Sequence, residues 1–174
     1  SAIQQGGTWP ECYGQEGLVK NPGFGCSPFD QGWSLKVVSN SSAQLTVAGA
    51  ANARTGNSAA KVTVSSGLGH NKVMLENRAY MNDLSGKRVT VEVWVKSAAA
   101  AEFRLQLKVI PEKGVEYGQK FPSSDVFATG SEYQRYIFRH TVGGAIESIQ
   151  VKVLMGNAPA IFYIDDFSFS IDDL

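Results

Sequence analysis

The sequence has little charge, few cysteines and no long apolar run. Charged residues make up only 18% of its 174 residues, and the formal net charge is zero. Bulk electrostatic binding to nucleic acid or to an anionic membrane needs a strongly basic face, so we expect neither partner. No stretch approaches the roughly 18 consecutive apolar residues of a membrane-spanning helix. Hydrophobic residues still make up 43% of the chain, which predicts one globular domain over residues 1–174, acting as a monomer.

The two cysteines, Cys12 and Cys26, both lie in an N-terminal segment rich in glycine and proline. Their spacing does not fit a C-x-x-C redox or metal motif, and no second pair of metal-binding residues follows. They are either two free thiols or one structural disulfide, and the disulfide is the simpler interpretation. Closing a loop of this size stabilises a fold by about 3 kcal/mol in the chain-entropy model. A disulfide that staples an extension at residues 1–17 predicts a secreted or cell-surface protein, since such bonds persist in oxidising compartments.

Apolar and polar residues alternate along several segments, as they do in strands that are buried on one face. Residues 89–96 (VTVEVWVK) place valines on one side and Thr90, Glu92, Trp94 and Lys96 on the other. Short strands at such spacing, with few helical patterns between them, predict an all-β fold, a two-sheet antiparallel β-sandwich of the jelly-roll type. The other predicted strands lie at 60–64, 71–77, 103–110, 133–142, 148–155 and 161–171.

Four motifs follow one another along nearly the whole chain. LVKNPGFGCSPFDQGW at 18–33 contains Asn-Pro-Gly-Phe and then Gly-Trp, and RTGNSAAKVTV at 54–64 contains Gly-x-x-Ala-x-x-Val. LSGKRVTVEVWVKS at 84–97 joins a small turn to an alternating strand, and GNAPAIFYIDDFSF at 156–169 contains Ile-Asp-Asp. In this order and spacing the motifs resemble the carbohydrate-binding modules of the group formed by families 4, 9 and 22. The resemblance implies a β-sandwich that binds polysaccharide in a groove on one sheet or at its rim, tethered to a glycoside hydrolase or lyase.

The resemblance also implies a structural calcium ion, and here the sequence departs from the group. Its members usually carry a Glu directly after Gly-Phe, where it holds the ion together with an Asp of the closing strand. This chain has Gly25 at that position. Asp165 and Asp166 still offer carboxylates, and backbone carbonyls supply further oxygens in such sites, because calcium takes six to eight of them. Both a calcium at Asp165 and Asp166 and a disulfide at Cys26 that replaces the ion are open.

A catalytic role has little support in the sequence. Glycoside hydrolysis needs two carboxylates facing each other across a cleft, whereas Asp165 and Asp166, as neighbours on one strand, point to opposite faces. A jelly-roll polysaccharide lyase needs a Tyr or His base, and the two histidines, His70 and His140, lie in no such motif. We therefore expect no enzymatic activity and no catalytic cofactor. A lyase and a structural or adhesive sandwich that contacts protein are the alternatives.

Sugar rings present apolar faces to aromatic side chains, and their hydroxyls bond to planar polar groups. Trp94 lies on the polar side of its strand, which indicates either a stacking platform for a sugar or packing beneath a covering loop. Tyr117 lies in the longest predicted irregular connection, 111–128, and long loops are often functional. We therefore place it at the rim of the binding site.

The polar sides of the predicted strands are rich in cations and amides. If the strands share one sheet, the groove is basic and suits an acidic polysaccharide, whose carboxylates pair with Arg and Lys. Jelly-roll connections alternate between sheets, so the same residues also fit two separate solvated faces. The predicted carbohydrate-binding residues are Trp94, Gln106, Arg104, Arg139, Glu92, Gln150 and Tyr117.

Overall fold

The described part of the chain consists of β-strands and one short 3-10 helix, His70–Lys72. The computed structural model describes residues 21–80 and 84–172, without the side chains of residues 78–80. No helix in these ranges is long and apolar enough to span a membrane. The strands are, in chain order, β1 (Ser34–Val37), β2 (Ser42–Ala48), β3 (Ala59–Ser66), β4 (Val73–Tyr80), β5 (Arg88–Ser97), β6 (Ala101–Pro111), β7 (Phe127–Thr129), β8 (Gln134–Thr141), β9 (Ile146–Leu154) and β10 (Ala160–Asp172).

The strands form two antiparallel sheets around one apolar core. Sheet I has the strand order β1-β4-β9-β6-β7, and sheet II has the order β2-β3-β10-β5-β8. The alternating side chains of both sheets fill the core; Val91, Val93 and Leu105 are at most 1% exposed. Burial of one such side chain stabilises the fold by roughly 1.5–3 kcal/mol. The predicted all-β class and two-sheet antiparallel β-sandwich are therefore confirmed.

Three strands, β1, β2 and β7, have no counterpart among the predicted ones. Strands β1 and β7 have four and three residues, which is too short for an alternation to stand out. Strand β2 lies at the edge of sheet II, and both of its sides are partly exposed. Its sequence therefore lacks the clear apolar side on which the prediction of the other strands depends.

The long connection between β6 and β7, expected to be irregular, is partly extended. Residues 120–124 run antiparallel to β6, with Gln106 opposite Ser123. The N–H of Leu107 donates to the carbonyl of Pro122 at 2.9 Å. Proline cannot donate a hydrogen bond, so it suits a segment at the edge of a sheet. Sheet I thereby gains an extra segment, which places part of the connection on the same surface as β6.

Candidate functional site

The outer face of sheet I carries a row of polar side chains that crosses the sheet. Glu76 lies opposite Lys152, and Lys152 lies opposite Gln106; residues opposite each other in a sheet project to the same side. The ammonium of Lys152 lies 3.1 Å from a carboxylate oxygen of Glu76, and the Lys152 side chain is only 7% exposed. The amide of Gln106 donates to the hydroxyl of Ser123 at 2.9 Å. The row therefore runs from β4 to the 120–124 segment.

The next row on this face contains an exposed aromatic ring. Gln150 lies opposite Lys108, and the pairing of β6 with residues 120–124 places Phe121 opposite Lys108. Phe121 is 51% exposed, so its ring is available beside amide and ammonium groups. The sequence analysis missed Phe121 because its segment was interpreted as an irregular loop. Pro122, a residue typical of edge strands, was the available signal.

Arg104 continues this face toward the end of β9, where it lies opposite Leu154. Beside it, burial and the positive charge of Arg104 lower the pKa of His70. The Nε of Arg104 and the Nδ1 of His70 are buried and lack a hydrogen-bond partner within the described residues. Buried polar atoms without partners cost free energy, so these two atoms are unfavourable features of this corner. We call the outward side chains Glu76, Arg104, Gln106, Lys108, Phe121, Gln150 and Lys152 the sheet I face.

Part of the outer face of sheet II, around Trp94, is covered by residues 49–58, the connection between β2 and β3. The guanidinium of Arg54 lies 3.5 Å from the ring centroid of Trp94, which is a cation–π contact. The hydroxyl of Tyr133 donates to the carbonyl of Asn52 at 2.6 Å and fixes the same connection from the other side. Of the two interpretations of Trp94, packing beneath a covering loop is the arrangement observed.

Two adjacent carboxylates at a bulge of β10 anchor this covering connection. Asp165 is fully buried, and its carboxylate accepts the backbone N–H groups of Arg54 at 3.0 Å, Thr55 at 3.2 Å and Asp166 at 2.9 Å. Asp166 accepts the Thr55 hydroxyl at 2.7 Å and the Arg54 guanidinium at 2.9 Å. Burial and the charge of Asp166 raise the pKa of Asp165 to about 6, against the opposing effect of the N–H donors.

This arrangement does not fit the calcium site that the resemblance implies. Both oxygens of Asp165 and both oxygens of Asp166 already accept hydrogen bonds. The N–H groups directed at Asp165 cannot coordinate a cation, and calcium requires six to eight oxygens. Across residues 21–80 and 84–172, no group of three or more His, Cys, Asp or Glu side chains is arranged to hold a metal ion.

Tyr117 is packed against the end of the sandwich and is 9% exposed. Its hydroxyl lies 2.8 Å from Nε2 of His140 and accepts the N–H of Gly143 at 3.1 Å. Burial lowers the pKa of His140, which favours its neutral ring. Tyr117 therefore joins the β6–β7 connection to the end of β8, away from the exposed rim that the sequence analysis expected.

The seven predicted binding residues do not form one constellation. Arg104, Gln106 and Gln150 share the sheet I face. Trp94 and Glu92 project from β5 and Arg139 from the neighbouring β8, on the outer face of sheet II. The outer faces of the two sheets point in opposite directions. Strands that follow one another in the chain often belong to different sheets, so the predicted residues are divided between the two faces. The disulfide stays a prediction, since Cys26 is buried but Cys12 and the 1–17 extension lie outside the described residues.

Solved structures with a similar arrangement of strands are carbohydrate-binding modules. One is TmCBM61 in complex with β-1,4-galactotriose, 19% identical, with 91% of this chain and 100% of that chain covered at a TM-score of 0.64. Another is the CBM22-1 xylan-binding domain from Paenibacillus barcinonensis Xyn10C, 11% identical, with coverage of 92% and 99% and a TM-score of 0.63. The chain has the fold of these carbohydrate-binding modules.

A third structure shows such a module beside a catalytic domain. It contains the CBM22-1 and GH10 modules of Clostridium thermocellum xylanase 10B complexed with xylohexaose. This chain is 13% identical to it and covers 26% of its length, with 80% of this chain aligned at a TM-score of 0.58. The sequence matches no protein-family model and no curated protein. At these identities the comparisons establish the fold.

Proposed function

We propose that this chain is a secreted, non-catalytic module that binds polysaccharide through the sheet I face, as an ancillary domain of a glycoside hydrolase or lyase. The observation that carries the proposal is the composition of that face. Two amide side chains, one exposed aromatic ring and two cations that form no ion pair within the described residues lie there in adjacent cross-strand rows, within the fold of carbohydrate-binding modules.

Each group on the face suits one part of a sugar. The half-exposed ring of Phe121 offers an apolar surface to the C–H face of a pyranose. Gln106 and Gln150 lie in adjacent rows, and their amides both donate to and accept from hydroxyl groups. The ion pair of Lys152 with Glu76 lies between β4 and β6 and gives the face a fixed, nearly neutral centre.

We further propose that the polysaccharide is acidic. Arg104 and Lys108 flank Gln106 on β6, about 13 Å apart along the strand, and neither forms an ion pair with another described residue. Arginine and lysine pair well with carboxylates, and arginine does so with two parallel hydrogen bonds. An acidic chain with repeated uronate groups would therefore meet two cations, separated by an amide, along one strand.

Affinity electrophoresis through gels that contain single polysaccharides tests this function. We expect retardation in pectin or alginate that weakens with added salt, because exposed charge pairs are screened. Affinity should be micromolar or weaker, since an open face desolvates little of the ligand. Retardation only in xylan, glucan or mannan would replace the acidic ligand with a neutral one. Free migration of the folded protein in every gel would refute glycan binding and favour a structural, protein-contacting role.

A further inference from the structure

We propose that the guanidinium of Arg54 is the resident cation of the Asp165–Asp166 pair, so that this chain secures its closing strand without a divalent metal ion. The inference is independent of the proposed glycan binding. It starts from two neighbouring carboxylates on β10, one of them fully buried. A buried carboxylate is tolerated only when charge or hydrogen bonds compensate for the loss of water.

Among the described residues, one short stretch of chain and the bulge itself supply hydrogen bonds and charge that compensate for this burial. The backbone N–H groups of Arg54 and Thr55 point at one oxygen of Asp165, and the N–H of Asp166 points at the other. Each oxygen of Asp166 accepts the hydroxyl of Thr55. The guanidinium of Arg54 then supplies the positive charge, at 2.9 Å from Asp166. A metal ion at this place would have to displace N–H donors that have no oxygen to offer.

The side chain of Arg54 is held in this position from its other side. Its guanidinium stacks on Trp94 at 3.5 Å from the ring centroid, so it lies between an aromatic face and a carboxylate. The ring face attracts the cation electrostatically and so helps to hold it in place. This explains why a tryptophan occupies the polar side of β5: its ring packs against the guanidinium of Arg54.

The N-terminal segment reaches the same region through hydrogen bonds of its own. The hydroxyl of Ser58 donates to the carbonyl of Phe24 at 2.6 Å, and the N–H of Phe167 donates to the carbonyl of Pro22 at 2.9 Å. The carbonyl of Asn21 accepts the indole N–H of Trp33 at 2.8 Å. The segment around Gly25 is thus tied to the 49–58 connection and to β10 by direct hydrogen bonds.

Thermal unfolding of the chain in calcium and in a chelator tests the inference. We expect the Tm to be the same in millimolar CaCl2 and in EDTA. We expect Arg54→Ala to lower the Tm by roughly 5 °C or more, because it removes the guanidinium that pairs with Asp166 at 2.9 Å. The matched control is Arg135→Ala, which removes an arginine from the same face where it is 54% exposed and pairs with Glu92 at 3.4 Å.

Arg54→Lys keeps the positive charge but loses the planar fork, and its Tm should fall between those of the wild type and Arg54→Ala. This variant and the calcium comparison keep the test decisive if Arg54→Ala does not fold. A wild-type Tm that rises in calcium or falls in EDTA would overturn the proposal. Equal melting of an Arg54 variant and the Arg135 control would overturn it as well.

Discussion

The two outer faces of the sandwich have the same alternating sequence pattern, but they differ in ion pairing and in whether another segment covers them. On the outer face of sheet II, Arg54 lies 2.9 Å from Asp166 and Arg135 lies 3.4 Å from Glu92, and residues 49–58 cover part of the strands. On the sheet I face, Lys152 and Glu76 form a pair, whereas Arg104 and Lys108 have no ion-pair partner among the described residues. The outer face of sheet II is partly covered by another segment of the chain, whereas the sheet I face leaves amides, cations and an exposed ring open to a ligand.

The contrast teaches that an exposed-looking aromatic on a polar strand face is not by itself a binding platform. Trp94 has the sequence environment expected of a sugar-stacking residue, yet a residue of the 49–58 connection covers its ring. Phe121 has an unremarkable sequence environment, yet it stands half exposed on the open face. Whether a second segment lies over a strand face decides between the two roles.

Replacement of the covered tryptophan should have the largest effect on stability. Trp94→Ala removes the ring beneath Arg54 and opens a cavity under the 49–58 connection, so the free energy of unfolding should fall by about 3 kcal/mol. Chemical denaturation measures this change. Polysaccharide binding at a temperature where the variant is folded should persist. Loss of binding without loss of stability would return Trp94 to the role of a sugar platform and break the comparison.

Removal of Arg104 and Lys108 from the sheet I face should have the largest effect on binding. The double variant Arg104→Ala/Lys108→Ala should weaken the binding of an acidic polysaccharide by about 2 kcal/mol, or roughly 30-fold. Arg139→Ala on sheet II is the control, and it should leave the affinity unchanged. Isothermal titration gives both values. Equal losses in the two proteins would mean that charge anywhere on the surface suffices and that the faces do not differ.

Phe121→Ala should weaken binding with little effect on folding. The loss of an apolar contact with a sugar ring should cost about 1 kcal/mol, or roughly fivefold in affinity. The Tm should change little, because the side chain is 51% exposed. Titration and thermal unfolding of the same preparation check both parts. Unchanged affinity would remove Phe121 from the site while leaving the amides and cations in place.

The smallest expected effect is on the pH dependence of the free energy of unfolding, through His140 at the end of the sandwich. Burial lowers the pKa of His140 from its ordinary value of 6.5, so the unfolded chain binds this proton more readily than the folded one. The contribution of His140 to stability is therefore complete above pH 6.5 and declines as the pH falls below it. His140→Gln, compared with the wild type between pH 7 and pH 5, should show a shallower decline in the free energy of unfolding. Identical slopes would contradict this assignment, since His70 and Asp165 titrate in both proteins.

Seven of the ten described strands and the core could be predicted from the sequence, because each depends on local alternation. Val89, Val91, Val93 and Val95 all lie in the core, as their spacing indicates. The allocation of strands to sheets could not be predicted, because pairing such as that of Lys152 with Gln106 joins distant parts of the chain. The covering of Trp94 by Arg54 depends on residues 40 positions apart, and no local pattern records such a contact.

The central claim is that the sheet I face binds the glycan, and affinity electrophoresis of two matched variants tests it most directly. Gln106→Ala/Gln150→Ala removes the two amides of that face, and Glu92→Ala/Arg139→Ala removes two polar groups from the opposite one. In a polysaccharide that retards the wild type, the account predicts that the first variant migrates freely and the second is retarded like the wild type. Free migration of the second variant with full retardation of the first would contradict it.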